Sequence, residues 1–325
     1  MLNPSIKYFF SCLLVTALIG CGEMASAPGP VRTLSEADVK FAKICREEFK
    51  YSVATRRLPN SVWIYLPLDG QLLDIKASDE GPVKMDVPSK QIKVLFNEAK
   101  FVDKHLIVKY DIAKTKSYLQ DYGYQNVYTE EFTKKQNNIL AAITRSYFEV
   151  EEVPGDITYK NAEKNRTHKN LVNAYVKAQK VPDFFILVIA DVQKGIAVKS
   201  IVNFQDLKKY MSMTPAISPD EYAKRYISDI YGQASIVGDL TGAYLGVYNL
   251  TWQEFLSRQI ENRIKFKYTR SDFPPTENTE EELMKIVAAT LTAYDFDQVQ
   301  SILLKDLSTG EPSAFMPEDL NRFRD

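Results

Sequence analysis

The stretch that most constrains the fold is Phe184-Phe-Ile-Leu-Val-Ile-Ala-Asp191, whose first seven residues are all apolar. Because no face of this stretch is polar, a strand formed here must be covered by other elements on both sides. Gln193-Lys194-Gly195 supplies turn residues, and Ile196–Asn203 is again rich in β-branched side chains. The segment therefore predicts a central strand that turns back into a neighbouring strand.

Amphipathic helices alternate with strand-like segments along the rest of the chain. Thr129–Glu149 places its apolar side chains on one helical stripe, whereas His105–Ile112 alternates as a strand does. This mixture predicts an α+β fold in which amphipathic helices pack on a mainly antiparallel sheet. One arrangement recurs three times: a helix, an apolar strand, a turn that contains glycine, and a segment that returns along the strand. This recurrence is compatible with two related helix-hairpin lobes. The strand-turn segments of this echo are Trp63–Gly70, Ile186–Gly195 and Ile302–Gly310.

Several local patterns predict where elements begin and end. Ser35 is followed by an acid three residues later, which predicts the N-cap of a helix that ends near Tyr51. Leu72–Ala77 is predicted to return beside the strand that precedes it. A helix is predicted to end near Asn262, and Ile264–Tyr268 is predicted to be a strand.

The first residues have the organisation of an export signal. Lys7 precedes an apolar run from Tyr8 to Ile19, and the small Gly20 stands directly before Cys21. A run of about 12 residues fits the apolar core of a secretory signal and is shorter than the ~20 residues of a membrane-spanning helix. The small residues, Gly and Pro of residues 22–34 predict a flexible tether after it.

Leu18-Ile19-Gly20-Cys21 resembles the lipobox of bacterial lipoproteins, although family members more often carry Ala or Ser where Ile19 stands. The resemblance covers residues 1–22. It implies that Cys21 carries acyl chains such as palmitate, that the leader is removed, and that the protein is held at a membrane of the cell envelope. Gly22, where inner-membrane members have Asp, favours the outer membrane facing the periplasm. The alternative is an ordinary secretory signal.

Removing the leader from the 325-residue chain leaves enough sequence for one large domain or two ordinary ones. We place the division near residues 115–128. The predicted organisation is a lipoprotein signal peptide at 1–20, a flexible tether at 21–34, an N-terminal α+β region at 35–115 and a C-terminal α+β region at 129–325.

The charge balance restricts the binding partners of the protein, and the cysteine content restricts its disulfides. The chain has 41 basic and 42 acidic side chains, and this near-neutral balance gives no support to nucleic-acid binding. Cys12 leaves with the leader and Cys21 carries lipid, so Cys45 has no partner for an internal disulfide. Cys45 lies on an apolar helix face and is interpreted as a buried apolar residue rather than a nucleophile. The predicted partners are the membrane, through Cys21, and an envelope protein.

Residues with catalytic or metal-binding chemistry are sparse. The two histidines, His105 and His168, have no second ligand at the spacing of a zinc site, so we predict neither a metal nor a cofactor. His168 lies in a basic stretch at the start of the predicted helix Ala162–Gln179, where it belongs to a solvated face or contacts an anionic ligand. The sequence contains no nucleophile elbow, P-loop or dinucleotide motif, so its catalytic residues are unknown.

The most unusual stretch is Gly232–Gly246, in which Gly238, Gly242 and Gly246 recur at four-residue spacing. Such spacing lets a backbone or a ligand approach closely. We interpret Gly238, Asp239, Gly242 and Tyr244 as a candidate ligand-approach loop. The structural alternative is that the loop packs tightly against the sheet.

These patterns favour a lipid-anchored cell-envelope protein with a non-catalytic binding or scaffolding role, although they leave enzyme activity open. The rival hypothesis is an envelope hydrolase that uses carboxylates, either Asp239 or the pair Asp295 and Asp297. A third hypothesis is a glycan- or small-molecule-binding lipoprotein. A deep pocket ringed by acids would favour the hydrolase, whereas a flat apolar patch would favour the scaffold.

Overall fold

A five-stranded sheet carries the largest apolar core of the protein. The computed structural model describes residues 35–77, 89–117, 124–148, 181–212, 214–242, 245–269 and 278–323. The elements in chain order are α1 (Glu36–Glu47), β1 (Ala54–Arg57), β2 (Ser61–Pro67), β3 (Leu73–Ala77), β4 (Ser89–Val102), β5 (His105–Ser117), β6 (Tyr124–Tyr128), α2 (Glu130–Tyr147), β7 (Phe184–Asp191), β8 (Ile196–Asn203), α3 (Phe204–Met211), α4 (Pro219–Arg225), β9 (Ile227–Tyr231), α5 (Ala234–Val237), α6 (Trp252–Thr269), α7 (Thr279–Ala293), β10 (Ser301–Asp306), β11 (Pro312–Phe315) and a 3-10 helix (Pro317–Phe323).

The five strands follow the order β1-β2-β7-β8-β9. Strand β7 pairs parallel with β2 and antiparallel with β8, and all eight of its residues are buried. Its side chains alternate between two cores, as the pleat of a strand requires. Phe185, Leu187 and Ile189 pack with α1 and α2, whereas Phe184 and Ile186 pack with Phe255 on the opposite face. The prediction of a central strand covered on both faces is confirmed.

A second sheet has the order β11-β10-β5-β4, and α6 and α7 pack against it. Leu256, Ile260, Ile264 and Tyr268 recur at four-residue spacing along α6 and are all buried in this second core. The predicted strand Ile264–Tyr268 is therefore wrong, because one helical stripe runs through it and α6 continues to Thr269.

Two other local predictions also need correction. Leu72–Ala77 does not return beside β2, because β3 pairs antiparallel with β6 in a separate two-stranded sheet. Helix α1 ends at Glu47 rather than near Tyr51, and Lys50 has a positive φ of 62° that a continuing helix would not allow. The predicted helix Ala162–Gln179 lies outside the described residues.

The fold is α+β, as predicted, with helices packed on mainly antiparallel sheets; among the described strands, six of the eight pairings are antiparallel. In two sheets, a strand from before residues 115–128 pairs with a strand from after them. These pairs are β2 with β7 and β5 with β10. Residues Ser35–Asp325 form one compact unit. Two of the sheets thus contain strands from both sides of the division proposed near residues 115–128.

Strands β7 and β10 share a local topology that bears on the internal echo. Each pairs antiparallel with the strand that follows it, and each lies parallel to a strand from the N-terminal half, β2 or β5. A duplication of this unit stays a prediction. In the described part of the chain, the helices are all too short or too polar to cross a membrane.

Candidate functional site

A pocket of about 250 Å³ lies among helices α4, α6 and α7. Its described lining consists of four basic side chains and three apolar ones, and most of its inner surface is apolar. The lining residues are Lys224, Arg263, Phe266, Lys267, Lys285, Ile286 and Ala289. We call this site the α6–α7 pocket.

The local sequence explains why these side chains face the pocket. Helix α6 starts at a capping box in which the Thr251 hydroxyl accepts from the Glu254 amide at 3.2 Å and the Glu254 carboxylate accepts from Thr251. The buried stripe of α6 then leaves Arg263 and Lys267, one turn apart, on the flank of the helix. Helix α7 is capped by Asn278, whose side chain accepts from the Glu281 amide.

Three glutamates form ion pairs with the four basic side chains. Glu221 on α4 accepts from Arg263 at 2.8 Å and lies 3.9 Å from Lys224. Glu282 on α7 contacts both Lys267 and Lys285. Lys285 also lies 3.1 Å from Glu281. Four cations and three carboxylates leave one unit of positive charge, so the site favours an anion.

Two of the basic groups are partly withdrawn from water. The side chains of Arg263 and Lys267 are 12% and 15% exposed. Burial, and then the charge of Lys285, lower the pKa of Lys267. The Arg263 Nε is buried and has no hydrogen-bond partner among the described residues. A bound anion would favour the charged form of Lys267 and so offset the lowering of its pKa.

A buried network stands behind the pocket and holds α4 in place. Arg225 donates to Asp206 at 2.8 Å and to Glu221 at 2.8 Å, and the Tyr294 hydroxyl donates to Asp206 at 2.6 Å. Burial, and then the charge of Asp206, raise the pKa of Tyr294. Since Glu221 also binds Arg263, the position of a pocket arginine depends on this network.

The predicted ligand-approach loop packs against the first sheet over its described part. The Tyr65 hydroxyl lies 2.7 and 2.5 Å from the Val237 and Asp239 carbonyl oxygens, which share its single proton. A Cβ at Gly242, whose φ is +73°, would lie 2.8 Å from the Tyr65 ring. This geometry supports the structural alternative of tight packing, and the ligand role stays a prediction. Tyr244 lies outside the described residues.

The carboxylates proposed for a hydrolase belong to turns. The Asp239 side chain accepts from the amide and hydroxyl of Thr241 at 2.9 and 2.8 Å, as in an Asx turn. Asp295 and Asp297 are exposed just after α7, and Asp295 has a positive φ of 49°. Asp239 and this pair therefore lie on different segments, each in its own local turn.

The remaining candidate residues are Cys45 and the two histidines. Cys45 is fully buried, and burial raises its pKa to about 12, so the interpretation as a buried apolar residue is confirmed. The His105 ring lies 2.8 Å from the Ser301 hydroxyl on an exposed strand end. His168 lies outside the described residues. Within the described ranges, no group of three or more His, Cys, Asp or Glu could hold a metal ion.

The α6–α7 pocket was not predicted from the sequence. Lys267 lies in the segment predicted as a strand and Arg263 directly before it, so their one-turn spacing on α6 was missed, and nothing local shows that Lys224 and Lys285 meet them. The only available signal was the basic content at the end of a predicted helix. Comparison with protein-family models, with curated proteins and with solved structures finds no significant match to this chain.

Proposed function

We propose that this protein is a lipid-anchored, non-catalytic binding protein of the cell envelope, and that it binds an anionic small molecule in the α6–α7 pocket. The observation that carries the binding part is the pocket itself, whose described lining combines four cations with three apolar side chains. It favours the small-molecule-binding hypothesis over the hydrolase, since basic and apolar side chains rather than acids form the described lining.

The anchoring part rests on the sequence before the fold. Cys21 follows the leader and the small Gly20, as in lipoproteins. Acyl chains on one cysteine hold a protein at a membrane stably only when two or more are present. Localisation at the outer membrane, facing the periplasm, and interaction with an envelope protein partner belong to the same proposal.

Two measurements test the proposal separately. The full-length protein should fractionate with membranes and its Cys21→Ser variant should not; a variant that stays with the membranes contradicts the anchor. Thermal unfolding of the full-length protein, at constant ionic strength, should shift upwards with acetate, phosphate or octanoate relative to chloride. The double variant Arg263→Gln/Lys267→Gln should lose the shift, and an unchanged shift contradicts binding in the pocket.

A further inference from the structure

The lining of the α6–α7 pocket combines apolar and basic side chains. Phe266, Ile286 and Ala289 contribute apolar surface, and the lysine stems add more because only their ends are charged. An inorganic anion would leave this apolar surface in contact with water. A neutral apolar molecule would leave the excess positive charge without a partner.

We propose that the pocket binds an amphiphilic monoanion, a single carboxylate or phosphodiester attached to an apolar chain. The inference rests on the proposed function and names the ligand class of the same site. The headgroup lies among the basic side chains, and the chain lies against the apolar side chains of the lining.

The charge of the site selects a monoanion. The four basic side chains exceed the three surrounding glutamates by one charge. Including Arg225 and its second acid, Asp206, adds one charge of each sign and leaves the excess unchanged. A single negative charge therefore neutralises the site, whereas a dianion would reverse its sign beside Glu221, Glu281 and Glu282.

The donor geometry supports an oxyanion headgroup. Arg263 already gives one terminal nitrogen to Glu221, and its Nε is left without a hydrogen bond among the described residues. A guanidinium presents donors in a fork that matches a carboxylate or phosphate, and such bonds to charged groups are the strong ones. An oxyanion headgroup therefore matches the guanidinium that Arg263 contributes to the lining.

The volume limits the length of the bound chain. At about 250 Å³ the pocket is slightly smaller than the ~300–1,000 Å³ of drug-sized ligand sites. It therefore accommodates a short amphiphile or the headgroup and first carbons of a longer one. Affinity should rise with chain length until the pocket is filled, and then stop rising.

Photo-crosslinking of the full-length protein tests this inference. The probe is a decanoate that carries a diazirine on its chain, and the matched probe is the corresponding decanol. We expect decanoate to label peptides that contain residues 263–267 and 285–289, and decanol to label them at least tenfold less. Lys267→Gln should reduce the labelling about tenfold, the loss of one hydrogen bond to a charged group. Lys265→Gln, two residues away on α6 and outside the lining, should not.

Competition distinguishes the sources of the headgroup and the failures of the two proposals. Displacement by octanoate alone identifies a carboxylate, and displacement by dihexanoyl phosphatidylglycerol alone identifies a phosphodiester lipid; either outcome supports the inference. If acetate or inorganic phosphate displaces the probe as well as octanoate does, the amphiphile inference fails and anion binding stands. If labelling is the same in the wild type and Lys267→Gln, and no anion shifts thermal unfolding, both proposals fail.

Discussion

Two buried networks in this protein contain the same three residue types and are connected differently. In each, an aspartate at the third position of a helix accepts hydrogen bonds from an arginine 19 residues later and from a tyrosine hydroxyl. We call them the α1 network and the α3 network. Their members are Asp38, Arg57 and Tyr147 in the first, and Asp206, Arg225 and Tyr294 in the second.

The two networks differ in which carboxylates accept hydrogen bonds from the arginine. Arg57 donates to both oxygens of Asp38, at 2.6 and 2.7 Å, and so binds one carboxylate with two bonds. Arg225 divides its donors between Asp206 and Glu221, and Glu221 also accepts from a pocket arginine. In the α1 network Arg57 also donates to Ser35, the cap of α1, at 3.3 Å, whereas the α3 network continues through Glu221 to the α6–α7 pocket.

The largest expected effect comes from removing the charge of each aspartate. Asp38→Asn should destabilise the protein by about 3–5 kcal/mol, because it leaves the mostly buried Arg57 without its carboxylate. Asp206→Asn should lose only about 2–3 kcal/mol, because Arg225 keeps Glu221. Urea unfolding of the full-length variants measures both. Equal losses would contradict the distinction between an arginine with two bonds to one aspartate and an arginine whose donors are divided between two acids.

The tyrosines should respond alike. Tyr147→Phe and Tyr294→Phe each remove one hydrogen bond to a carboxylate, for which we expect a loss of about 2 kcal/mol. Burial, and then the aspartate charge, raise the pKa of both hydroxyls, so both remain donors at neutral pH. The same urea unfolding should give losses that agree within about 0.5 kcal/mol. A much larger loss in one variant would show that the networks differ in more than their arginines.

The smallest effect is a pH dependence on the α1 side. Burial, and then the charge of Arg145, lower the pKa of Lys40 on α1 to about 8, against an ordinary value of 10.5. Between these values the unfolded chain holds a proton that the folded protein has released, so stability rises with pH. We expect a rise below about 1 kcal/mol, since a partly exposed charge is screened.

Chemical unfolding at pH 7.5, 8.5 and 9.5 measures that rise. Lys40→Met should remove most of it, and Lys265→Met on α6 should keep it. Because the raised pKa of Cys45 lowers stability above about pH 9 in both proteins, a wild-type stability that does not rise relative to that of Lys40→Met would contradict the lowered pKa. So would a rise that persists unchanged in Lys40→Met.

The sequence predicted those elements whose signals are local. The capping box at Ser35 and Asp38 is present, with Ser35 accepting from the Asp38 amide at 3.2 Å. The apolar run of β7 is buried on both faces. Strands β1 and β11 were missed because they are four-residue edge strands with few apolar side chains, whose existence depends on their neighbours.

The pocket and the networks depend on contacts between distant parts of the chain. Tyr147 meets Asp38 across 109 positions of sequence, and Tyr294 meets Asp206 across 88. No local pattern encodes such distances. The sequence contains, twice, an aspartate at the third helical position and an arginine 19 residues later. Only the structure shows that the two side chains form a hydrogen bond in each case.

A matched pair of arginines allows a direct test of the pocket. Arg145 on α2 and Arg263 on α6 are 13% and 12% exposed, and each donates to a glutamate at 2.6–2.8 Å. The Nε of each is buried without a hydrogen-bond partner among the described residues. Arg145 binds both oxygens of Glu48, so Arg145→Gln should lose at least as much stability as Arg263→Gln, and of the two only Arg263 lines the pocket.

The decisive measurement is the affinity for octanoate of the full-length wild type, Arg263→Gln and Arg145→Gln, by titration calorimetry at one ionic strength. The account predicts that Arg263→Gln weakens binding about tenfold or more and that Arg145→Gln binds as the wild type does. Equal affinities in all three proteins, or equal losses in both variants, would contradict a ligand site at the α6–α7 pocket.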